Sequence, residues 1–364
     1  MHSGCKVIDV HGHMSTPPQF RAYAFNLIAL RSPGPAGLEI SDDQMEGALK
    51  RHLRMLDERG IDLQMISARP VAYMHWEAAY LVDKWSRVTN DVIAQQCRMH
   101  PDRYVGIAQL PQNSKIDTSN CVHELERCVN ELGFVGASLN PDPGADRQTP
   151  GMNTEYWFPL YKKAQELKAP LIVHPSISRD PRLEVIPHSY QYNNVTEETL
   201  ATLLLEHSDV FDRFPDLRVV VCHCGGSLKR LVEHGSAIAP RHAGGSWSRV
   251  VAEGTGEEAG GSSVGLSSNR SHAEHTRDVS NNLFFDSCAY DPVFLEAAIK
   301  QRGPDRMLFG TEVPGAGSGV MNPYTNKPSD DLLATLDAMG FLSAADKRGI
   351  LHDNAKRVFP LLKV

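Results

Sequence analysis

The sequence of 364 residues has no run approaching the roughly 18 consecutive apolar residues that a membrane span requires. Its opening, MHSGCKVID, has no apolar secretion-signal core, so a soluble cytoplasmic protein is expected. The seven cysteines (Cys5, Cys97, Cys121, Cys128, Cys222, Cys224, Cys288) are odd in number and contain no C-x-x-C pair. This argues against a disulfide framework or a zinc ribbon and leaves most of them as small buried thiols. No block of Lys or Arg interrupts a formal charge of -7, so no nucleic-acid partner is expected and a small molecule is the default ligand. No G-x-G-x-x-G follows the first apolar run, which removes the usual mark of a dinucleotide site.

Eight apolar runs are present: VIDV near residue 7, LQMISA at 63, YVGIAQL at 104, FVGASLN at 134, PLIVH at 170, RVVVCH at 218, NLFFDS at 282 and RMLFGT at 306. Amphipathic stretches lie between most of them, among them 42–59, 78–100, 121–132 and 154–167. Strands alternating with helices pair in parallel, and eight of them predict an α/β fold, a closed (β/α)8 barrel with loop insertions. An open doubly wound sheet is the other arrangement compatible with the alternation. Two segments break the rhythm. Residues 22–40, with SPGPAG, read as a long loop over the barrel mouth, and residues 242–275, rich in Gly, Ser and charge, read as a surface insertion. No internal repeat or linker divides the chain, so one domain over residues 1–364 is expected.

The stretch KVIDVHGHMSTPP sets two histidines two residues apart behind an apolar run. On a strand, His11 and His13 share one face, with Gly12 giving the backbone a tight turn at its end. Three later strand ends add compatible side chains: His174 closes LIVH, His223 closes VVVCH, and Glu312 follows LFGT. Singly, His174 or His223 reads as a satisfied structural histidine. Jointly, four strand ends deliver metal-ligating groups to one barrel face.

These residues resemble the amidohydrolase superfamily, in the branch that contains aminocarboxymuconate-semialdehyde decarboxylase. The likeness lies in H-x-H after strand one, a histidine ending strand five, V-x-x-x-H-x-G-G at strand six and an acidic residue after F-G-T at strand eight. It extends to HPDRYVGIAQLP, FPDLRVVVCHCGG, NLFFDSCAYDP and ILHDNAKRVFPLL. The resemblance implies that His11, His13 and His174, with Glu312, bind one divalent metal, zinc first and manganese second, and that His223 is an acid/base group beside it. It also implies homodimerisation, although no interface is legible. Most of the branch carries Asp at strand eight, whereas this chain reads GTEVPGAG. Glu312, together with ELERCVNELGFVGASLNPDPG, is similar to the 4-oxalomesaconate hydratases of aromatic-acid catabolism. That resemblance implies a lyase adding water to an unsaturated keto-polycarboxylate, with Glu312 also catalytic.

Hydration of a conjugated double bond needs held water, a proton donor and cations for the carboxylates. Arg69 in SARP follows the second strand and could grip a carboxylate bidentately or form an ordinary ion pair. Asn140, Ser176, Ser178, Tyr190 and Tyr192 could supply neutral donors to the substrate, with turn chemistry as the other reading for the asparagine and serines. His188 is a weaker candidate. Asp286 is expected to orient a histidine ligand through its second nitrogen. Cys222 and Cys224 flank His223, and strand alternation predicts that both point away from its face. Two other reactions fit the same residues: decarboxylation of an aromatic or muconate-type acid, and hydrolysis of a lactone or related ring.

Overall fold

The computed structural model describes residues 2, 4–32, 37–187, 189–227 and 279–364. Eight strands, β1 (Ile8–His13), β2 (Leu63–Ser67), β3 (Tyr104–Gln109), β4 (Gly136–Leu139), β5 (Leu171–Val173), β6 (Val219–Val221), β7 (Leu283–Asp286) and β8 (Met307–Leu308), stand in chain order and each pairs in parallel with the next. The ring closes where Val10 N donates to Phe309 O just past β8, at 2.8 Å. This is a (β/α)8 barrel, and all eight apolar runs supply its strands.

Two apolar layers follow from strand alternation. Ile8, Val10, Leu63, Met65, Ile107, Ile172, Val220, Phe284 and Leu308 fill the barrel interior, where Ala355, Val358, Phe359 and Leu362 of the C-terminal segment pack against them. The other strand faces pack on helices, among them α1 (Pro18–Leu30), α2 (Asp42–Glu58), α3 (Ala79–Met99), α4 (Ser119–Asn130) and α5 (Phe158–Glu166). Ser41 starts α2 by a capping box: its hydroxyl accepts from Gln44 N at 3.3 Å, and Gln44 Oε1 accepts from Ser41 N at 3.0 Å. Buried Met45, Leu49, His52 and Leu56 then follow the helical period.

Residues 22–40 were expected to be loop, but α1 occupies 18–30. Pro18 at the first helical position is preset for helix, and AYAFNLIAL offers no breaker until Arg31, which ends it in a left-handed conformation (φ 51°). The Gly/Ser-rich stretch 242–275 falls outside the described residues, as does His188. Among the described residues, no helix is long and apolar enough to cross a membrane.

Candidate active site

His11 and His13 close β1, buried at the strand's C-terminal end. Asp9 shapes this end: its carboxylate accepts from His11 N at 3.0 Å and from Thr311 Oγ1 at 2.6 Å, where the β1–β2 register shifts between Asp9 and Gly12. Gly12 serves differently from expectation. Its φ is not left-handed; a Cβ there would lie 2.1 Å from Gln64 Cδ, so its bare backbone makes room for the buried Gln64 amide.

Hydrogen-bond partners fix how three imidazoles face. His11 donates Nδ1–H to Asp286 Oδ2 at 2.8 Å, and His174 donates Nδ1–H to Pro175 O at 2.8 Å. His13 Nδ1 bonds Ser67 Oγ at 3.1 Å, and that hydroxyl has Gly12 O as its own acceptor at 3.1 Å, so the histidine is the donor. Each ring therefore turns an Nε2 lone pair inward, and all three Nε2 atoms are buried without a partner. Ring centroids lie 5.3 Å apart for His11 and His13, 4.9 Å for His11 and His174, and 5.5 Å for His13 and His174.

Glu312 faces this group, its Oε1 3.7 Å from His13 Nε2 and its Oε2 4.0 Å from His223 Nε2. Acceptor facing acceptor in a buried site is a costly arrangement unless a cation joins them. Ligand atoms of His11, His174, His223 and Glu312 lie within 4.8 Å of one another, a spacing suited to one metal ion. That set includes His223 and does not include His13.

His223 does not end a strand. β6 stops at Val221, and His223 and Cys224 form a turn with φ of 48° and 61°. Strand alternation consequently fails for the cysteines: Cys222 packs into the barrel interior and Cys224 into the outer layer. The turn is held by Asp286, whose Oδ1 accepts His223 N at 2.9 Å while Oδ2 holds His11. Glu312 likewise has a left-handed backbone (φ 62°). Non-glycine residues in that region are uncommon and collect at functional sites.

Electrostatics separate the four histidines. Burial pushes His13 down to about 4 and His174 well below the usual histidine range, so both are neutral. Burial also works against charge on His11, but the Asp286 carboxylate outweighs it and the net shift is upward. For His223, burial is again outweighed, here by Glu198, whose buried Oε1 bonds its Nδ1 at 2.6 Å and lifts it to about 10. Burial likewise works to raise Glu312, yet the imidazoles of His13, His223 and His11 beside it hold it ionised well below the usual carboxylate range. His11 and His223 are both raised, and His223, at about 10, far enough to stay protonated at neutral pH with its Nε2 toward Glu312.

The remaining sequence candidates are scattered around this centre. Arg69 donates to Pro314 O at 2.7 Å, two residues beyond Glu312. Asn140 is enclosed by its own loop: its Oδ1 accepts Asp142 N at 3.1 Å and its Nδ2 meets His75 Nδ1 at 3.3 Å. Ser176 donates to Pro70 O at 2.5 Å, tying two loops together, and Ser178 accepts from Asp180 N within its own turn. Tyr190 and Tyr192 lie in the first turn of α7 (Ser189–Glu206), which follows the short α6 (Pro181–Glu184); Tyr192 is 55% exposed, and neither hydroxyl bonds the histidines. Two residues were not anticipated. Glu198 was detectable as a carboxylate on the buried face of α7, in phase with Asn194, Ala201 and Leu205. Tyr290, whose hydroxyl lies 3.2 Å from Glu312 Oε2, carries no such signal in FFDSCAYDP.

The same arrangement of chain recurs in known proteins. The crystal structure of 4-oxalomesaconate hydratase from Rhodopseudomonas palustris superposes with a TM-score of 0.75 at 28% identity, covering 98% of this chain and 96% of that one. Dihydroxybenzoic acid decarboxylase from Polaromonas sp. JS666, solved with bound manganese and an inhibitor, shares the fold at 22% identity and a TM-score of 0.64, covering 99% and 98%. In sequence, 2-keto-4-carboxy-3-hexenedioate hydratase from Sphingobium sp. (strain NBRC 103272 / SYK-6) is 30% identical over 363 residues, 98% of this chain and 96% of its own. Gamma-resorcylate decarboxylase from Rhizobium sp. (strain MTP-10005) is 25% identical over 324 residues, 85% and 86% of the two chains. The amidohydrolase family profile matches residues 8–361, and with eight parallel strands whose ends carry this histidine and carboxylate cluster, the chain belongs to the amidohydrolase family.

Proposed function

We propose that the chain is a metal-dependent lyase that adds water to the conjugated double bond of an unsaturated keto-polycarboxylate, as the two hydratases it resembles are named for doing. The observation that carries this reading is Glu312: an ionised carboxylate held in left-handed backbone between neutral His13 and protonated His223. His11, His13, His174 and Glu312 would hold one divalent ion, with Asp286 orienting His11 and Ser67 orienting His13. Zinc is the first assignment and manganese the second. When bound, such an ion supplies Lewis acidity toward a substrate oxygen or a water.

The chain's own groups account for the proton movements. Water oxygen bonds to the far carbon of the enone as the π bond breaks, and the water proton passes to Glu312. His223 Nε2 delivers a proton to the neighbouring carbon, and transfer from Glu312 back to His223 restores both. The two groups stand 4.0 Å apart, so a shift of about 1 Å brings them within hydrogen-bond range. Glu198 keeps His223 protonated between turnovers, and Arg69 is placed to grip a carboxylate near the reacting carbons.

A decarboxylase is the second reading, favoured by the long match to gamma-resorcylate decarboxylase. Incubation with 4-oxalomesaconate, followed by enone absorbance and product mass, separates the readings. A mass gain of one water is expected. Release of carbon dioxide from dihydroxybenzoates without water addition, or ring opening of a lactone without either, would overturn the proposal.

A further inference from the structure

A cleft of about 470 Å³ opens beside the histidine cluster, between α1, α2 and the segments that follow β1 and β2. Its walls adjoin the site directly: Met14 follows His13, Ala68 and Arg69 follow Ser67, and Pro314 lies two residues past Glu312. Three guanidiniums line it, Arg21 from α1, Arg51 from α2 and Arg69, close enough that Arg21 and Arg51 each disfavour the charge on Arg69. No Asp or Glu lines the cleft, in a chain whose formal charge is -7.

Several exposed arginines of this chain, among them Arg31, Arg98 and Arg213, meet a carboxylate. Arg54, one turn further along α2, lies 3.8 Å from Glu58. Arg21 and Arg51 have no ion pair or hydrogen bond among the described residues. Arg69 is answered in part by Glu312, but Arg21 and Arg51 add like charge to it with no carboxylate of their own, and that repulsion is relieved when an anion enters.

A second observation lies deeper in the same wall. His52 is 1% exposed, donates Nε2–H to Gln64 Oε1 at 2.7 Å, and leaves Nδ1 buried without a partner. Gln64 in turn donates its amide to Asp9 Oδ2 and Val313 O, which fixes its oxygen toward His52. His52 Nδ1 is thus a buried acceptor in the lining, and an anion in the cleft would be met by the guanidiniums. Phe20 and Trp85, with ring centroids 4.6 Å apart, supply the apolar part of the lining.

We infer that this cleft is a subsite for a carboxylate of the substrate remote from the reacting double bond, with Arg21 and Arg51 as its binding residues. The inference rests on the polycarboxylate reading of the adjoining centre and names what selects that class. A monocarboxylate can satisfy Arg69 alone; a di- or tricarboxylate can also neutralise Arg21 and Arg51.

The test uses the metal-loaded protein and tricarballylate, a saturated tricarboxylate that cannot be hydrated, with butyrate as the single-carboxylate probe. By calorimetric titration, R21Q and R51Q are each expected to weaken tricarballylate binding about 10-fold, the scale of one charge-assisted hydrogen bond, and to leave butyrate unchanged. R54Q, on α2 but outside the cleft, leaves both unchanged. With 4-oxalomesaconate, the two variants raise KM by a similar factor while kcat stays within about threefold, as for uniform binding. Tricarballylate binding by the R21Q/R51Q double variant equal to wild type, or no preference of the wild type for tricarballylate over butyrate, overturns the subsite. The titrations involve no turnover. Failure of water addition with the binding contrast intact therefore counts against the hydratase reading alone.

Discussion

Glu198 and His223 form a pair from neighbouring βα units, the buried carboxylate on α7 bonding the Nδ1 of the partly exposed imidazole at 2.6 Å. Glu198 is fully buried and its other oxygen has no partner, so the pair is almost wholly dedicated to the histidine. The consequence is a His223 that stays charged where an isolated imidazole would not.

E198Q removes the anion while keeping the side chain's volume. Because Glu198 is what raises His223, its loss must lower the histidine's pKa. If protonated His223 is the acid, the alkaline limb of kcat/KM, near 10 in the wild type, moves down toward the ordinary histidine value of about 6.5, and turnover at pH 8 falls about 10- to 100-fold. Far-UV circular dichroism should be unchanged. An unmoved limb with reduced turnover would assign Glu198 a packing role only.

Three inward lone pairs and an ionised Glu312 predict about one divalent ion per chain, read by elemental analysis of protein prepared without chelator. H11A and H174A should each lose the metal and the activity. Since an ion present at 100 times its Kd stabilises the folded state by about 2.7 kcal/mol, chelation should lower the Tm by a few degrees. Full metal content in both variants would show that the ligand set is wrong.

The barrel is legible because each strand is an apolar run bounded by turn residues, and the parallel order follows from the helices between them. Placement of His11, His13, His174 and Glu312 at one rim follows from strand ends alone. Three things were not readable that way. The helix over 18–30 was masked by the Pro and Gly that flank it. The turn at His223 depends on Asp286 accepting its backbone N–H, a contact 63 residues distant in sequence. Glu198 reaches the site only because α7 packs its acidic face inward, against the usual rule that charged faces are solvated.

Gly310, just past β8, sits between Asp286 of β7 and His11 of β1. A Cβ there would lie 2.9 Å from both Asp286 Cβ and His11 Cβ, inside any real contact distance. G310A should therefore push the bonded pair apart and cost about 1–3 kcal/mol of stability, in the range of overpacked cores. Urea unfolding measures the loss, and metal content should fall with it because His11 is displaced. Wild-type stability and metal content would show that the barrel relaxes around the methyl without disturbing His11.

The reaction itself turns on Glu312. E312Q keeps the length and removes charge and basicity, so turnover should fall by at least about 100-fold, the scale of a lost acid/base group. The more discriminating change is E312D, which restores the residue common in the decarboxylating branch and withdraws the carboxylate by one methylene. The present contacts, 3.7 Å to His13 Nε2, 4.0 Å to His223 Nε2 and 3.2 Å to the Tyr290 hydroxyl, all depend on the longer side chain reaching from its left-handed position. A site built around that reach loses water addition on E312D while retaining the fold. A decarboxylase in which Glu merely replaces Asp keeps its rate. Parallel assays of enone absorbance with 4-oxalomesaconate and of carbon dioxide from dihydroxybenzoates decide between them. An E312D enzyme as fast as wild type in water addition would show that the Glu is incidental, and the explanation for hydration would have to move to His223 and its partner Glu198.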